Sequence, residues 1–232
     1  MSFNFDNRIL IIGNGASRKG IDLASYASEY FVTFGCNKIF EEFTPNYLVV
    51  MDKEPITLAM QHFESNYTWN NIIIPSPFEK KKVNGSNSGA FCLKYADMQF
   101  PNSNIDILGF DSVFYDEDNG QNMYKYNKAD FNIRNKLVEM NVFLTSFVSI
   151  IGNFTQKNKE VNFLIQKSKK DKLSNYFIKA FSNLETKVYV TFITDKGKVL
   201  EKKELTEIYD NHIRQTGWSY HEKRLSGQQV WF

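Results

Sequence analysis

Short apolar runs alternate with amphipathic segments along the first half of the chain. Ile9–Ile12 is an unbroken apolar run, which predicts a strand that is buried on both faces. Further strands are predicted at Tyr30–Phe34, Tyr47–Met51, Ile72–Ile74 and Ile105–Leu108. Helical spacing of apolar residues between these runs predicts intervening helices. This alternation favours an α/β fold with a doubly wound, mainly parallel, Rossmann-like sheet.

The second half of the chain differs in composition. Between Asn153 and Lys203, twelve lysines stand against five acidic residues. Two apolar runs on either side of Asp195–Gly197 predict a β-hairpin. We therefore predict a nucleotide-binding Rossmann-like domain over residues 1–152 and a basic C-terminal α+β extension with an aromatic tail over residues 153–232. The other elements predicted in this half are the helices Asn132–Ile151, Leu173–Leu184 and Leu205–Gln215 and the strand Val161–Ile165.

Composition and charge limit the class of protein, the cellular location and the partners that we expect. Hydrophobic residues make up 42% of the chain, enough for a packed core, and the net charge of +2 produces no field that demands nucleic acid or a membrane. Cys36 and Cys92 lack metal-ligand spacing, which favours reduced thiols. No run of about 20 apolar residues occurs and the N-terminus does not resemble a signal peptide. We therefore expect a cytoplasmic protein without a transmembrane segment, either a monomer or a homo-oligomer.

The turn Gly13–Gly15 follows the first predicted strand and precedes Ser17, the predicted cap of the next helix. A strand, a glycine turn and a helix start direct backbone N–H groups and the positive end of a helix dipole at one place, where phosphates often bind. The complete dinucleotide-binding pattern and the Walker pattern are both missing. A tight connection between strand and helix explains the turn equally well, so the neighbouring strand ends must decide.

Polar residues and glycines recur where the other predicted strands end. Because the carboxyl ends of parallel strands meet at one edge of a sheet, we expect these residues to line one ligand cleft. The segment Gly109–Asn132, rich in acidic residues and tyrosines, is either a lid over that cleft or a solvated insertion. The recurring residues are Asn14 after strand one, Asn37 after strand two, Asp52 after strand three, Ser88-Gly89 at the helix before strand five, and Asp111 after strand five.

Four motifs stand in the order found in a known family: Gly13-Asn14-Gly15-Ala16-Ser17, Phe34-Gly35-Cys36-Asn37, Asn87-Ser88-Gly89 and Leu108-Gly109-Phe110-Asp111. Together they resemble the bacterial sialyltransferases of the CMP-sialic-acid type. The resemblance covers roughly Arg8 to Tyr126. A wider resemblance is to the archaeal-type hydroxymethylpterin diphosphokinase, which shares the fold and a similar nucleotide cleft.

The resemblance implies a nucleotide-sugar donor, with a CMP-linked sugar favoured, and no further cofactor. It implies that Tyr115, Tyr124 or Tyr126 stabilises the departing phosphate. A requirement for magnesium stays open. It implies that Asn14, Gly15 and Ser17 meet the nucleotide phosphates or the ribose. The nucleotide-binding residues that it implies are Gly13, Asn14, Gly15, Ser17, Asn37, Asp52, Ser88, Gly89 and Asp111.

Two departures from the family concern catalysis. The family's general base is a histidine after the Gly-Ile-Asp motif, whereas this chain has no histidine between His62 and His212. Asp52 replaces an asparagine and adds a negative charge near any phosphate. His62 is expected to be structural. The candidates for the base are Asp111, Asp116, Asp118, His212 and His221.

The leading hypothesis is a metal-independent glycosyltransferase that moves a sugar from a nucleotide sugar to an acceptor hydroxyl. The acceptor stays open among a glycan, a lipid head group, a protein and a modified nucleic acid, and nucleic acid is not favoured. A second hypothesis is ATP- and magnesium-dependent diphosphate transfer, with Asp52 and Asp111 holding the metal from adjacent strand ends. The third is a nucleotide-binding module that has lost catalysis.

Overall fold

A computed structural model describes residues 7–63, 71–82, 87–114, 133–154, 158–168 and 173–216. The strands of this part of the chain form a single sheet in the order β4-β3-β2-β1-β5-β6-β7-β8. Every neighbouring pair is parallel except β7 and β8. The predicted Rossmann-like α/β fold is confirmed. The strands are β1 Arg8–Ile12, β2 Val32–Cys36, β3 Tyr47–Val49, β4 Ile72–Ile73, β5 Asn104–Leu108, β6 Glu160–Gln166, β7 Lys187–Ile193 and β8 Val199–Glu204.

Helices cover both faces of the sheet. Residues of α4, α6, α7 and α8 join one buried apolar cluster, and residues of α1 and α2 join the cluster on the opposite face. None of the helices in the described ranges combines the length and the apolarity needed to cross a membrane. The helices are α1 Leu23–Ala27, α2 Lys53–His62, α3 Pro77–Lys82, α4 Ser88–Gln99, α5 Asp111–Phe114, α6 Ile133–Gly152, α7 Asn175–Ser182 and α8 Leu205–Thr216, with 3₁₀ helices at Ala16–Arg18 and Asn37–Glu41.

The direction in which strands are added changes between β1 and β5. The chain lays down β2, β3 and β4 on one side of β1, then crosses over to place β5 on the other side. In open α/β sheets, ligands bind beyond the carboxyl ends of the strands at such a switch point. The strands after residue 153 extend the same sheet, because β6 pairs with β5 in parallel register. We therefore expect a ligand site at the carboxyl ends of β1 and β5.

Two predicted helix caps are wrong. Ser17 lies inside a 3₁₀ helix, and Asp22 caps α1 by accepting from the N–H groups of Ala24 at 3.2 Å and Ser25 at 3.3 Å. In α4 the cap is Asn87, whose Oδ1 accepts from Ala90 N–H at 2.9 Å, so Ser88 is the first helical residue. The observed cap lies five residues after the predicted one at α1 and one residue before it at α4, and in both cases its side-chain oxygen accepts from N–H groups that the first turn leaves free.

A buried polar network crosses the sheet on the α1 side. The carboxylate of Asp106 is fully buried and accepts from Arg8 Nε at 3.0 Å, Tyr30 OH at 2.9 Å and Asn162 Nδ2 at 3.1 Å. Thr191 in turn donates to Asn162 Oδ1 at 2.7 Å. Burial alone would lower the pKa of Arg8, but its hydrogen bonds and charge interaction with Asp106 raise it overall. The buried carboxylate is stable here because it is paired and fully hydrogen-bonded.

Candidate functional site

The loops that follow β1 and β5 are bonded to each other. Gly13 N–H donates to Leu108 O at 2.7 Å, and Gly15 N–H donates to Gly109 O at 2.7 Å. Gly109 has φ +73°, a left-handed conformation that favours glycine, and a Cβ on Gly13 would overlap the Gly109 carbonyl oxygen. The glycines of these two motifs are therefore required for the close approach of one loop to the other.

Ser17 and Asp111 join the same two loops through side chains. The Asp111 carboxylate accepts from the backbone N–H of Ser17 at 2.9 Å and also from its hydroxyl. Both residues are buried, and a Cβ on Gly15 would overlap that carboxylate. The negative group at the N–H of Ser17 is thus supplied by the chain itself. This is the position where a phosphate was expected.

Arg18 is a member of the site that the sequence did not suggest. Its side chain is 1% exposed, and its Nε–H donates to Gly13 O at 2.8 Å. The guanidinium group binds both carboxylate oxygens of Glu42, at 2.8 and 3.2 Å. Its aliphatic stem packs beside Gly109. An arginine that follows a glycine turn is usually exposed to solvent. The local sequence therefore gives no sign that Arg18 is buried and holds the turn in place.

A second pair of predicted residues also comes together. Asn37, at φ +52°, accepts at Oδ1 from the hydroxyl of Ser88 at 2.6 Å, which links the end of β2 to the start of α4. Asparagine is one of the few residues with a side chain that adopts this left-handed conformation readily. Gly89 lies against Phe110, and a Cβ on Gly89 would overlap the aromatic ring. The motifs after β2 and β5 thus meet at the N-terminus of α4.

Asn14 has a polar atom that the fold leaves unsatisfied. Asn14 is 8% exposed, and its Oδ1 is buried without a hydrogen-bond partner in the described part of the chain. Most buried polar groups in native proteins are hydrogen-bonded, and leaving one unpaired is costly. An orphaned acceptor at the carboxyl end of β1, beside the switch point, indicates a place where a ligand group would complete the hydrogen bonding.

Asp52 lies apart from Asp111. Asp52 is exposed at the start of α2, beyond the end of β3, and its side chain makes no capping hydrogen bond. Because β2 and β1 lie between β3 and β5, the ends of these two strands are three strand spacings, about 14 Å, apart. The prediction that these two strand ends are adjacent is therefore wrong, whereas a requirement for magnesium stays a prediction. Among the described residues, no three His, Cys, Asp or Glu side chains form a group that would hold a metal ion.

Several predicted catalytic residues lie outside the described residues: Tyr115, Tyr124, Tyr126, Asp116, Asp118 and His221. Of the other histidines, His62 is exposed at the end of α2, and its ring lies 5.2 Å from that of Phe40 and 4.7 Å from that of Phe63. His212 belongs to α8. The assignment of the base to any of these groups stays a prediction.

The two cysteines are both buried free thiols. Cys36 ends β2, next to Asn37, and Cys92 lies in α4, four residues after Ser88. Burial, and after it the neighbouring Cys36, raise the pKa of the Cys92 thiol. Cys92 is therefore protonated and unreactive in the folded protein, as expected of a cysteine that packs beneath a site.

Comparisons with known proteins add little to this description. No family model matches the chain, and no curated protein matches it. Among solved structures, a short-chain dehydrogenase/reductase (glucose/ribitol dehydrogenase) from Brucella melitensis is similar at 13% identity and a TM-score of 0.31. The match covers 72% of this chain and 60% of that one, so this chain spans less than two thirds of its length. A similarity of this size carries no argument about function.

Proposed function

We propose that this protein is a glycosyltransferase that binds a nucleotide-sugar donor at the carboxyl ends of β1 and β5. The observation that carries the proposal is the buried, unpaired Oδ1 of Asn14 at the switch point of the sheet. An orphaned acceptor in the usual ligand position of this fold is explained by a ligand that donates a hydrogen bond to it. Nucleosides and sugars carry many such donors.

The chemistry follows from the motif set and its geometry. The motifs that resemble the CMP-sialic-acid sialyltransferases meet at one edge, where Ser17 bonds Asp111 and Asn37 bonds Ser88. The donor would be held there, and an acceptor hydroxyl would attack its anomeric carbon as the nucleotide leaves. We prefer metal-independent transfer over diphosphate transfer, because the shared magnesium site required Asp52 and Asp111 to follow adjacent strands, and β2 and β1 lie between β3 and β5.

Asp111 is better suited to positioning than to proton transfer. It is 3% exposed, and its carboxylate already accepts two hydrogen bonds from Ser17. A general base must reach the hydroxyl that it deprotonates. We therefore propose His221 as the base, with Asp116, Asp118 and His212 as alternatives. On the resemblance alone, Tyr115, Tyr124 or Tyr126 stabilises the leaving phosphate.

Binding and turnover test the proposal separately. Titration calorimetry with CMP, UDP, GDP and ATP with magnesium, and with the corresponding nucleotide sugars, is expected to give heat for a sugar nucleotide. Release of the free nucleotide from its sugar then measures turnover. No heat from any sugar nucleotide would contradict the proposal, and binding without turnover would favour the non-catalytic module.

The base is tested with a pair of histidine variants. His221→Ala is expected to lower kcat by about 10²- to 10⁴-fold while leaving the Kd of the donor unchanged. His62→Ala is the matched control, because His62 lies on the surface of α2 against Phe40 and Phe63. Equal turnover by His221→Ala and the wild-type protein would remove His221 from the mechanism.

A further inference from the structure

Three N–H groups of the turn after β1, those of Gly13, Gly15 and Ser17, are already hydrogen-bonded within the protein. Gly13 N–H is bonded to Leu108 O and Gly15 N–H to Gly109 O, both at 2.7 Å. Ser17 N–H is bonded to the Asp111 carboxylate at 2.9 Å. Phosphate-binding turns leave such groups free to bind the anion. This turn therefore differs from a phosphate loop, although its sequence resembles one.

The charges around the turn also disfavour an anion. The Asp111 carboxylate lies against Gly15 and Ser17. The guanidinium group of Arg18, 1% exposed, is directed to Gly13 O and the Glu42 carboxylate. A phosphate placed on the turn would lie beside a carboxylate, and the guanidinium group of Arg18 is bonded to other partners. The turn would attract hydrogen-bond donors and repel anions.

Asn14 supplies the acceptor for such a donor. Its Oδ1 is buried and has no hydrogen-bond partner within the described residues, and the residue as a whole is 8% exposed. A carbonyl oxygen accepts hydrogen bonds only from donors such as hydroxyl or amino groups. A phosphate ester at neutral pH offers acceptors instead, so it would leave Oδ1 unpaired.

We propose that the turn Gly13–Ser17 binds the nucleoside part of the ligand through a hydroxyl or amino group that donates to Asn14 Oδ1, and that the phosphate lies away from this turn. The inference rests on the proposed nucleotide site. The resemblance leaves open whether Asn14, Gly15 and Ser17 meet the phosphates or the ribose, and the inference selects the nucleoside side. It also explains why the chain keeps a buried acceptor with no partner of its own.

The test uses Asn14→Leu, because leucine has the same branched shape as asparagine but no polar atoms. The probes are the pairs cytidine and CMP, uridine and UDP, guanosine and GDP, and adenosine and ATP, titrated by calorimetry. Asn14→Leu is expected to raise the Kd of a nucleoside and the Kd of its nucleotide by the same factor, about tenfold or more. The midpoint of urea unfolding should not fall, because an unpaired buried oxygen has been removed. Asn211→Leu, at an exposed position of α8, is the matched control and should change neither Kd.

The outcomes are distinct. Weakening of the nucleotide alone, with nucleoside binding unchanged, would put the phosphate on the turn and overturn the inference. Unchanged binding of both partners of a pair would overturn it as well, while leaving the proposed nucleotide site standing. Failure of every probe to bind the wild-type protein would contradict the proposed function and this inference together.

Wild-type protein provides a second test that does not depend on the variant. Inorganic pyrophosphate is expected to leave nucleoside binding unchanged, and competition between the two would overturn the inference. The 2′-deoxy and 3′-deoxy forms of the nucleoside that binds, and its analogue lacking the base amino group, identify the donor. The analogue that lacks the donating group should bind the wild-type protein about tenfold more weakly than the parent nucleoside. Its Kd should be the same for Asn14→Leu and for the wild-type protein.

Discussion

Asp111 accepts two hydrogen bonds from Ser17, a residue 94 positions earlier in the chain. The pair fastens the loop after β5 to the loop after β1 at the switch point of the sheet. Its geometry resembles a helix start that binds an anion, with the anion provided by the protein itself. The strength of this pair therefore determines how rigidly the candidate site is held.

The first prediction concerns that pair. Asp111→Ala is expected to lower the free energy of unfolding by about 1–3 kcal/mol, because Ser17 keeps buried donors without a partner. Ser17→Ala should lower the free energy of unfolding by less, because the backbone N–H at position 17 still donates to the Asp111 carboxylate. In a double-mutant cycle by urea unfolding, the coupling should be about 0.5–3 kcal/mol. Additive losses would show that the two side chains act independently.

The second prediction concerns the close contact of Gly89 with Phe110. Gly89→Ala should destabilise the protein by about 1–3 kcal/mol, because its Cβ would overlap the buried ring. Gly152→Ala is the matched control: its Cβ would lie at an ordinary 3.4 Å from Leu184. That control should be neutral or stabilising by up to about 1 kcal/mol. Phe110→Leu should recover part of the loss caused by Gly89→Ala, as measured by thermal unfolding.

The third prediction concerns the buried pair Arg8 and Asp106. Asp106→Leu is expected to lower the free energy of unfolding by about 3–5 kcal/mol, because Arg8, a residue that is 6% exposed, loses the Asp106 carboxylate, and its contact with Glu160 is longer, at 3.5 Å. Adding Arg8→Met removes the buried charge that has lost Asp106 and should restore much of that loss. Urea unfolding of the two single variants and the double variant measures this. A double variant less stable than Asp106→Leu would argue against the charge as the cause.

The fourth prediction is a pH dependence at the start of α3. Glu79 accepts from Ser76 N–H at 3.0 Å, from the Ser76 hydroxyl at 2.9 Å and from Tyr95 OH at 2.7 Å. The backbone hydrogen bond from Ser76, followed by those from Tyr95 and the Ser76 hydroxyl, lowers the pKa of Glu79 from 4.5 to about 2. Because the folded-state pKa is the lower one, this stabilisation is present above pH 4.5 and is lost as the pH falls toward 2.

Comparison with a neutral variant isolates the effect of Glu79. Glu79→Gln is expected to lose about 0.5–1 kcal/mol at pH 7, a modest figure because solvent screens this surface group. The difference from the wild-type protein should shrink between pH 4.5 and pH 2. Glu41→Gln, a change of an exposed glutamate, is the control. A difference that stays constant down to pH 2 would contradict the assignment.

The local pattern of the sequence predicted most of the secondary structure. The apolar run Ile9–Ile12 forms the central strand, and the long predicted helix Asn132–Ile151 is α6, Ile133–Gly152. The predicted hairpin is β7 and β8, whose turn contains Gly197 at φ +85°. These features depend on the period of buried positions and on turn residues, which involve neighbours in the chain. β2 begins two residues later than predicted, because Tyr30 N–H still bonds to Ala27 O at the end of α1.

The sequence by itself also determined which residues gather at the ends of the strands, because alternation of strand and helix forces a parallel sheet with all those ends at one edge. Only the tertiary structure decided what those residues do there. The order of the strands separates Asp52 from Asp111. It places Ser17 where it donates hydrogen bonds to Asp111 rather than capping a helix, and it buries Arg18 against Gly13. It also leaves Asn14 Oδ1 unpaired within the described residues. The physical reason is that hydrogen-bond partners and burial depend on which strands become neighbours, and that choice is made by packing over the whole chain.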